Sequence, residues 1–274
     1  MEPGRLRERI AWRLDLLRRE WPQCEEFRDL DPKDIVRRQL EFAEPWLGSI
    51  VDASRVVEQA LATGDEVLFE GAQGALLDVD WGTYPYVTSS STTFAGIGTS
   101  LGIEGSSIGS RMGVTKAYQT RVGEGPFPTE LTDGVGASLR ERGGEFGTTT
   151  GRPRRCGWLD LVALRYAVRL NGITELALTK LDVLEGLPTV RVCCAYRVRG
   201  ETTDRFPLSG DRLAECEAVY EELPGWKDSA GADTWDELPA AAGRYVAFIE
   251  EATGVPVGLV SYGPSPEETL RRPL

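Results

Sequence analysis

The sequence predicts an α/β fold, a mixed sheet flanked by helices. Two patterns lead there. Beyond residue 67, short apolar runs alternate with segments of helical periodicity and with glycine-rich connections, as in sheets covered by helices. Before residue 61 the apolar residues recur only at helical spacing.

The elements follow in order. Residues 1–22 predict a charged amphipathic helix, with Ile10, Leu14 and Leu17 on one face. Asp31-Pro32 marks a break, and residues 34–61 carry a second long amphipathic pattern through Ile35, Leu40, Phe42, Val51, Val56, Val57 and Leu61. Val67-Leu68-Phe69 predicts a short buried strand that delivers residues 70–73 to its end. Residues 96–113, rich in Gly and Ser, predict a long loop or a helix N-terminus. Residues 158–170 predict a helix that begins at Trp158 and turns Leu161, Leu164, Ala167 and Val168 inward. Residues 176–179 predict a strand ending at Lys180-Leu181-Asp182. Residues 189–199 predict another, turning through Gly200 into residues 202–206. A late helix over 239–253 and a last strand over 255–260 complete the pattern. With no repeat and no linker, the chain is expected to be a single α/β domain over 1–274, mainly helical over 1–61 and sheet-containing over 67–274.

Composition narrows the function. Of 274 residues, 31 are basic and 43 acidic, a formal charge of −12, which argues against nucleic acid or an anionic membrane as partner. An anionic ligand would need a local basic site, which Arg152, Arg154 and Arg155 supply. Cys24, Cys156, Cys193, Cys194 and Cys216 are odd in number and lack C-x-x-C spacing. With no histidine in the chain they predict reduced structural thiols rather than a zinc site. The N-terminus is rich in arginine and glutamate rather than apolar, and no apolar run approaches membrane-spanning length, so a cytoplasmic protein is expected.

Three stretches carry chemistry. Residues 70–93, EGAQGALLDVDWGTYPYVTSSSTT, combine glycines, an amide and a closing run of hydroxyls from Thr88 to Thr93. Such groups coordinate phosphate, sugar or oxyanion oxygens without net charge, although a polar loop capping a helix remains the alternative. Gly147-Thr148-Thr149-Thr150-Gly151-Arg152 pairs hydroxyl donors with a planar guanidinium fork for carboxylate. The alternative is an exposed basic turn, and three threonines between glycines form a poor helix. In Thr179-Lys180-Leu181-Asp182, a carboxylate at a strand's carboxyl end can accept from both N1–H and the 2-amino group of guanine, whereas adenine offers neither donor. A lone T-K-x-D is also an ordinary turn.

Taken in order, EGAQG, LLD and GTYPYVTSS, then KAYQTRVGEGPFPTEL (116–131), GEFGTTTGRPRRCGWLDLVALRYA (144–167), LTKLDVLEGL (178–187) and SYGPSPEETL (261–270) resemble adenylosuccinate synthetase. The resemblance implies a P-loop-NTPase-like sheet and GTP-dependent, Mg2+-requiring ligation of IMP and L-aspartate by a cytoplasmic homodimer. The 6-oxygen of IMP takes the γ-phosphoryl group, and aspartate then displaces it. Residue by residue it implies IMP contacts at Gln73, Thr88 and Arg152, with Gln73 as an oxyanion donor. It places aspartate contacts at Thr148, Thr149, Thr150, Gly151 and Arg152, and GTP contacts at Arg154, Lys180, Leu181, Asp182, Ser261, Tyr262 and Gly263. Tyr262 stands where a smaller residue is usual, and Trp81 and Phe94 also depart from the family pattern. Residues 116–130 match a family signature but are expected to serve packing.

The family's glycine-rich phosphate loop, its base Asp and its His find no match in this sequence. The expectation is a fold incomplete at its N-terminus, with no metal ligand and no turnover by the chain alone. A half-enzyme completed by a separate N-terminal chain and a non-catalytic nucleotide-binding relative are the alternatives.

Overall fold

Aspartate or proline starts the three longer helices of the first sixty residues. Helix α1 (Pro3–Glu20) opens with proline, whose missing N–H would be unpaired there anyway. After α2 (Glu25–Arg28), helix α3 (Pro32–Ala43) is capped by Asp31, which accepts from Lys33 N at 2.9 Å. A 3₁₀ turn, Glu44–Ser49, separates α3 from α4 (Ala53–Thr63), so the long amphipathic pattern becomes two helices. Pro45 causes that break, because it cannot continue the backbone hydrogen-bond ladder. Leu14 and Val36 are buried where α1 and α3 pack, and Arg18 donates to the carbonyls of Phe27, Arg28 and Leu30.

The structure, a computed structural model, describes residues 2–147, 151–227, 232 and 234–272. It divides into two compact units, Met1–Val67 and Leu68–Leu274. The division falls where the sequence pattern changes from helical to alternating. Val67-Leu68-Phe69 is not a strand, and Leu68 is 93% exposed. A three-residue apolar run becomes a strand only where a neighbour takes up its N–H and C=O groups, and no described residue does so.

The second unit runs through α5 (Ala95–Leu101), β1 (Met112–Lys116), β2 (Gln119–Arg121), α6 (Gly134–Arg142), β3 (Arg155–Gly157), β4 (Leu159–Asp160), α7 (Leu161–Asn171) and β5 (Glu175–Thr179). It continues through β6 (Thr189–Val198), β7 (Glu201–Thr203), α8 (Gly210–Ala214), β8 (Glu217–Pro224), α9 (Ala240–Thr253), β9 (Val257–Ser261) and β10 (Thr269–Arg271). The main sheet has the order β1-β5-β9-β10, with β1, β5 and β9 parallel and β10 antiparallel. A second sheet joins β4, β6, β7 and β8, and β2 pairs with β3. The β6–β7 hairpin turns at Arg199-Gly200, both at positive φ, a backbone that glycine adopts without strain.

Apolar burial fixes the main sheet. Leu176 and Leu178 on β5, Val257 and Val260 on β9, and Tyr245 and Ile249 on α9 are at most 1% exposed and lie in one core. At roughly 2 kcal/mol per fully buried aliphatic side chain, such a core holds the strand ends in place for the site they carry.

Helix α7 starts later than the sequence pattern predicts. Trp158 stays outside it, and Leu159 and Asp160 pair in parallel with Val192 and Cys193 of β6. Asp160 ends the strand because its carboxylate caps α7, accepting from Ala163 N at 3.0 Å. The other carboxylate oxygen accepts from the Tyr196 hydroxyl. Burial pushes the Asp160 carboxyl up to about 6, even against that hydrogen bond.

This shift has a sign that can be measured. Because the folded-state value lies above the ordinary 3.8, the folded protein holds a proton that the unfolded chain has lost. Stability therefore falls as pH rises from about 4 through about 6, by on the order of 3 kcal/mol. D160N keeps a capping oxygen but cannot titrate. Thermal melts from pH 4 to 7 should show the stability difference, wild type minus D160N, shrinking with rising pH.

Candidate active site

Parallel register brings the candidate residues to one edge. Lys116 pairs with Thr179 across β1 and β5, and Leu178 with Val260 across β5 and β9. The residues that follow, Lys180-Leu181-Asp182 and Tyr262-Gly263, therefore leave the carboxyl end of the sheet side by side with Lys116. That is the edge where open α/β sheets bind ligands.

A single carboxylate gathers the cations there. Glu145, at 0% exposure, accepts through Oε1 from Lys116 Nζ (2.7 Å), Tyr118 OH (2.5 Å) and Lys180 Nζ (3.2 Å). Through Oε2 it accepts from Arg154 at 2.8 Å, and its carbonyl accepts from Arg154 N at 2.9 Å. Burial acts to raise its pKa, but the bonds from Lys116, Tyr118 and Arg154 outweigh burial and hold it at about 2. Three cations around one anion leave the cluster net positive, as a polyanionic ligand requires.

Lys180 stands at φ +61°, a conformation that lysine rarely takes, and its amine also donates to Gly143 O. Leu181 is fully buried and anchors the following 3₁₀ turn, Leu181–Leu184, which packs against β9. Arg142 donates to Asp182 O at 2.7 Å and to Glu185 O, tying α6 to the turn. The Asp182 carboxylate bonds to no other side chain among the described residues, and burial raises its pKa. Its own backbone N–H and the charges of Lys180 and Arg142 oppose that rise without cancelling it. On the neighbouring strand, Ser261 Oγ donates to Gly263 O at 2.8 Å. Tyr262 is turned into the core, with its hydroxyl donating to Ala232 O at 2.7 Å.

A second buried carboxylate shapes the hydroxyl-rich loop. Asp78, also at 0% exposure, accepts from the N–H groups of Asp80, Trp81, Thr92 and Thr93 and from Ser91 Oγ at 2.7–3.2 Å. Burial pushes its pKa up, and the backbone donors reverse that to a net lowering. The loop is thereby folded back on itself. Thr88 N donates to Leu77 O at 2.8 Å, and Gln73 sits exposed at φ +71°. Arg121 joins this loop to β2, donating to Thr83 Oγ1 at 2.9 Å. Trp81 is half exposed, its carbonyl accepting from Tyr166, and the Phe94 ring lies 4.1 Å beneath the Arg111 guanidinium.

Between this loop and β1–β2 lies a cavity of about 440 Å³, with Leu76, Lys116, Gln119, Arg121 and Arg154 in its wall. Arg154 Nε and Gln119 Oε1 are buried there without a hydrogen-bond partner among the described residues. Unsatisfied donors and acceptors in a cavity wall are what a polar ligand completes.

A profile of the adenylosuccinate synthetase family matches residues 1–270. The chain belongs to that family. It is 54% identical over 241 residues to the adenylosuccinate synthetase of Desulforudis audaxviator, covering 88% of this chain and 56% of that protein. It is 45% identical over 269 residues to that of Thermodesulfovibrio yellowstonii, covering 98% and 63%. A solved structure of fully ligated adenylosuccinate synthetase from Plasmodium falciparum superposes with a TM-score of 0.91 at 37% identity, covering 99% of this chain and 64% of that one. The chain thus spans somewhat over half the length of these relatives.

Within that family framework, Lys180, Asp182 and residues 261–263 leave one sheet edge, and Arg154 meets Lys180 at Glu145. Gln73 and Thr88 lie on the adjoining loop. Gly151 and Arg152 are exposed, on a loop closed by Gly147 N donating to Arg152 O and Gly151 N to Gly147 O. Thr148, Thr149 and Thr150 lie outside the described residues. Among the described residues no three His, Cys, Asp or Glu side chains stand together as a group that could hold a metal ion. No described helix is long and apolar enough to cross a membrane.

Sequence reasoning missed Glu145, Asp78 and Tyr118, and it read Lys116 as packing. The one available signal was Lys116 at the end of an alternating run, beside a family signature. Removing the Asp78 carboxylate leaves buried N–H groups without an acceptor. D78A should cost about 3 kcal/mol or more in urea unfolding. Hydrogen exchange should speed at the amides of Trp81, Thr92 and Thr93 and stay unchanged in β5.

Proposed function

We propose that this chain acts in the GTP-dependent ligation of IMP and L-aspartate to adenylosuccinate, the reaction of its family. The observation that carries this reading is Asp182, a partly buried carboxylate with no side-chain partner at the carboxyl end of β5. Guanine fills that need with two donors, N1–H and the 2-amino group. ATP leaves it unmet, because adenine offers a lone pair at N1 and no 2-amino group, and a partly buried carboxylate facing that lone pair opposes binding. Lys180 lies along the base or ribose by its aliphatic stem, Arg154 offers its unpaired Nε–H to the nucleotide, and Ser261 to Gly263 wall the base.

In the same reading, Gln73 donates its amide N–H to the purine 6-oxygen as negative charge develops there, and Thr88 holds the 5′-phosphate. Thr148, Thr149, Thr150 and Gly151 close on L-aspartate, with Arg152 reaching both its carboxylates and the nucleotide sugar. Family membership supports a cytoplasmic homodimer. It also supports a magnesium requirement. The 274 residues contain no histidine and no recognisable phosphate loop, so we infer binding by this chain without turnover of its own.

Fluorescent mant-GDP and mant-ADP titrations test the guanine site. Wild type should prefer mant-GDP, and D182N should lose about ten- to a hundredfold in mant-GDP affinity with mant-ADP unchanged. Equal affinity of wild type for both nucleotides would sink the reading.

A further inference from the structure

Lys180 and Arg154 come from different segments of the chain, one after β5 and one before β3, and those two strands lie in different sheets and do not pair. What relates them is Glu145. Its Oε1 accepts from Lys180 at 3.2 Å and its Oε2 from Arg154 at 2.8 Å, so the two nucleotide-facing cations share one carboxylate. The carboxylate is itself fixed from below. Lys116 at the end of β1 and Tyr118 both donate to Oε1, and Lys116 also donates to Thr120 Oγ1 at 2.9 Å. The backbone holds it as well, with Glu145 N donating to Arg140 O and Arg154 N to Glu145 O, both at 2.9 Å.

We propose that Glu145 is a positioning residue that sets Lys180 and Arg154 in register with each other, so that the guanine-facing turn and the arginine loop act as one nucleotide site. The inference rests on the guanine-nucleotide reading above and adds to it a residue that touches no ligand. The physical ground is electrostatic. Lys116, Lys180 and Arg154 converge on a small volume and repel one another, and the buried anion between them offsets that repulsion. Burial, Lys180 and Arg154 already hold Lys116 below its ordinary pKa, with Glu145 acting against them. Without the anion the cations separate, and Lys116 loses more of its charge. Tyr118 stays a neutral donor, since burial and Glu145 both push its pKa up.

The test separates positioning from nucleotide binding. The purified 274-residue chain and its E145Q variant are acetylated with a small amine reagent in the absence of nucleotide, and the rate at each lysine is read by peptide mass spectrometry. Lys33, exposed on α3, serves as internal reference. The same proteins are titrated with mant-GDP and mant-ADP and melted to verify folding. In E145Q, Lys116 and Lys180 should label faster relative to Lys33, because both lose their charged acceptor, and Lys116 gains about tenfold more free amine for each unit by which its pKa falls further. Affinity for mant-GDP should fall about tenfold with the preference over mant-ADP reduced.

Should E145Q fail to fold, E145D carries the same test, because it keeps the charge on a shorter stem. It should show both effects in smaller degree. A folded variant in which Lys116 and Lys180 label at the wild-type rate overturns the positioning role, whatever the wild type binds. Faster labelling with unchanged mant-GDP affinity overturns it too. Failure of the wild type to bind mant-GDP instead overturns the nucleotide reading, and with it the role assigned to Glu145.

Discussion

A fully buried carboxylate is stable only where donors replace the water it has lost. Glu145 meets that condition with four side chains, and the site's geometry depends on it. Three of the four are cations, drawn from β1, the turn after β5 and the segment before β3. Each of those cations is partly exposed, so the arrangement presents positive charge outward while its counter-charge stays hidden. The sheet fixes Lys116 and Lys180 side by side, and Glu145 links both to an arginine that precedes a strand outside that sheet.

Asp78 performs a related task in the loop over residues 74–93. That segment is too rich in glycine and hydroxyls to fold by apolar burial or by a regular ladder. Backbone N–H groups from two stretches, Asp80-Trp81 and Thr92-Thr93, converge instead on one buried acid. Asp160 makes a third case, closing the first turn of α7 while meeting Tyr196 of the second sheet. Its environment has fewer donors, and burial prevails there. Three buried acids thus shift in two directions, according to the number and charge of the donors each has gathered.

Much of the sheet was legible in the sequence. Strands β5, β6 and β9 and helix α9 stand close to where apolar runs and their periodicity put them, because each buries its own side chains. The turn after β5 was legible as T-K-x-D after a strand. Val67-Leu68-Phe69 was misread because a short apolar run says nothing about whether a partner strand exists. Helix α7 was extended too far at its start because Trp158, Leu159 and Asp160 suit a helix by type, while Asp160 as a cap fixes the boundary. The buried acids were invisible for a deeper reason. An acidic residue reads as solvated until the fold brings donors to it, and Glu145's donors come from as far as 35 residues away.

Ionisation of Glu145 is the quantity on which this account stands, and it can be observed directly. The side-chain carboxyl carbon of Glu145, assigned by its absence in E145Q, would be followed by 13C NMR from pH 7 downward. Its shift should stay flat through 4.5, the ordinary glutamate value, and move only as pH approaches about 2. The cluster's stability would then be complete above about 4.5 and lost as pH falls toward 2. A midpoint at or above 4.5 would mean that the donors do not outweigh burial, and the carboxylate could not organise the cations as described.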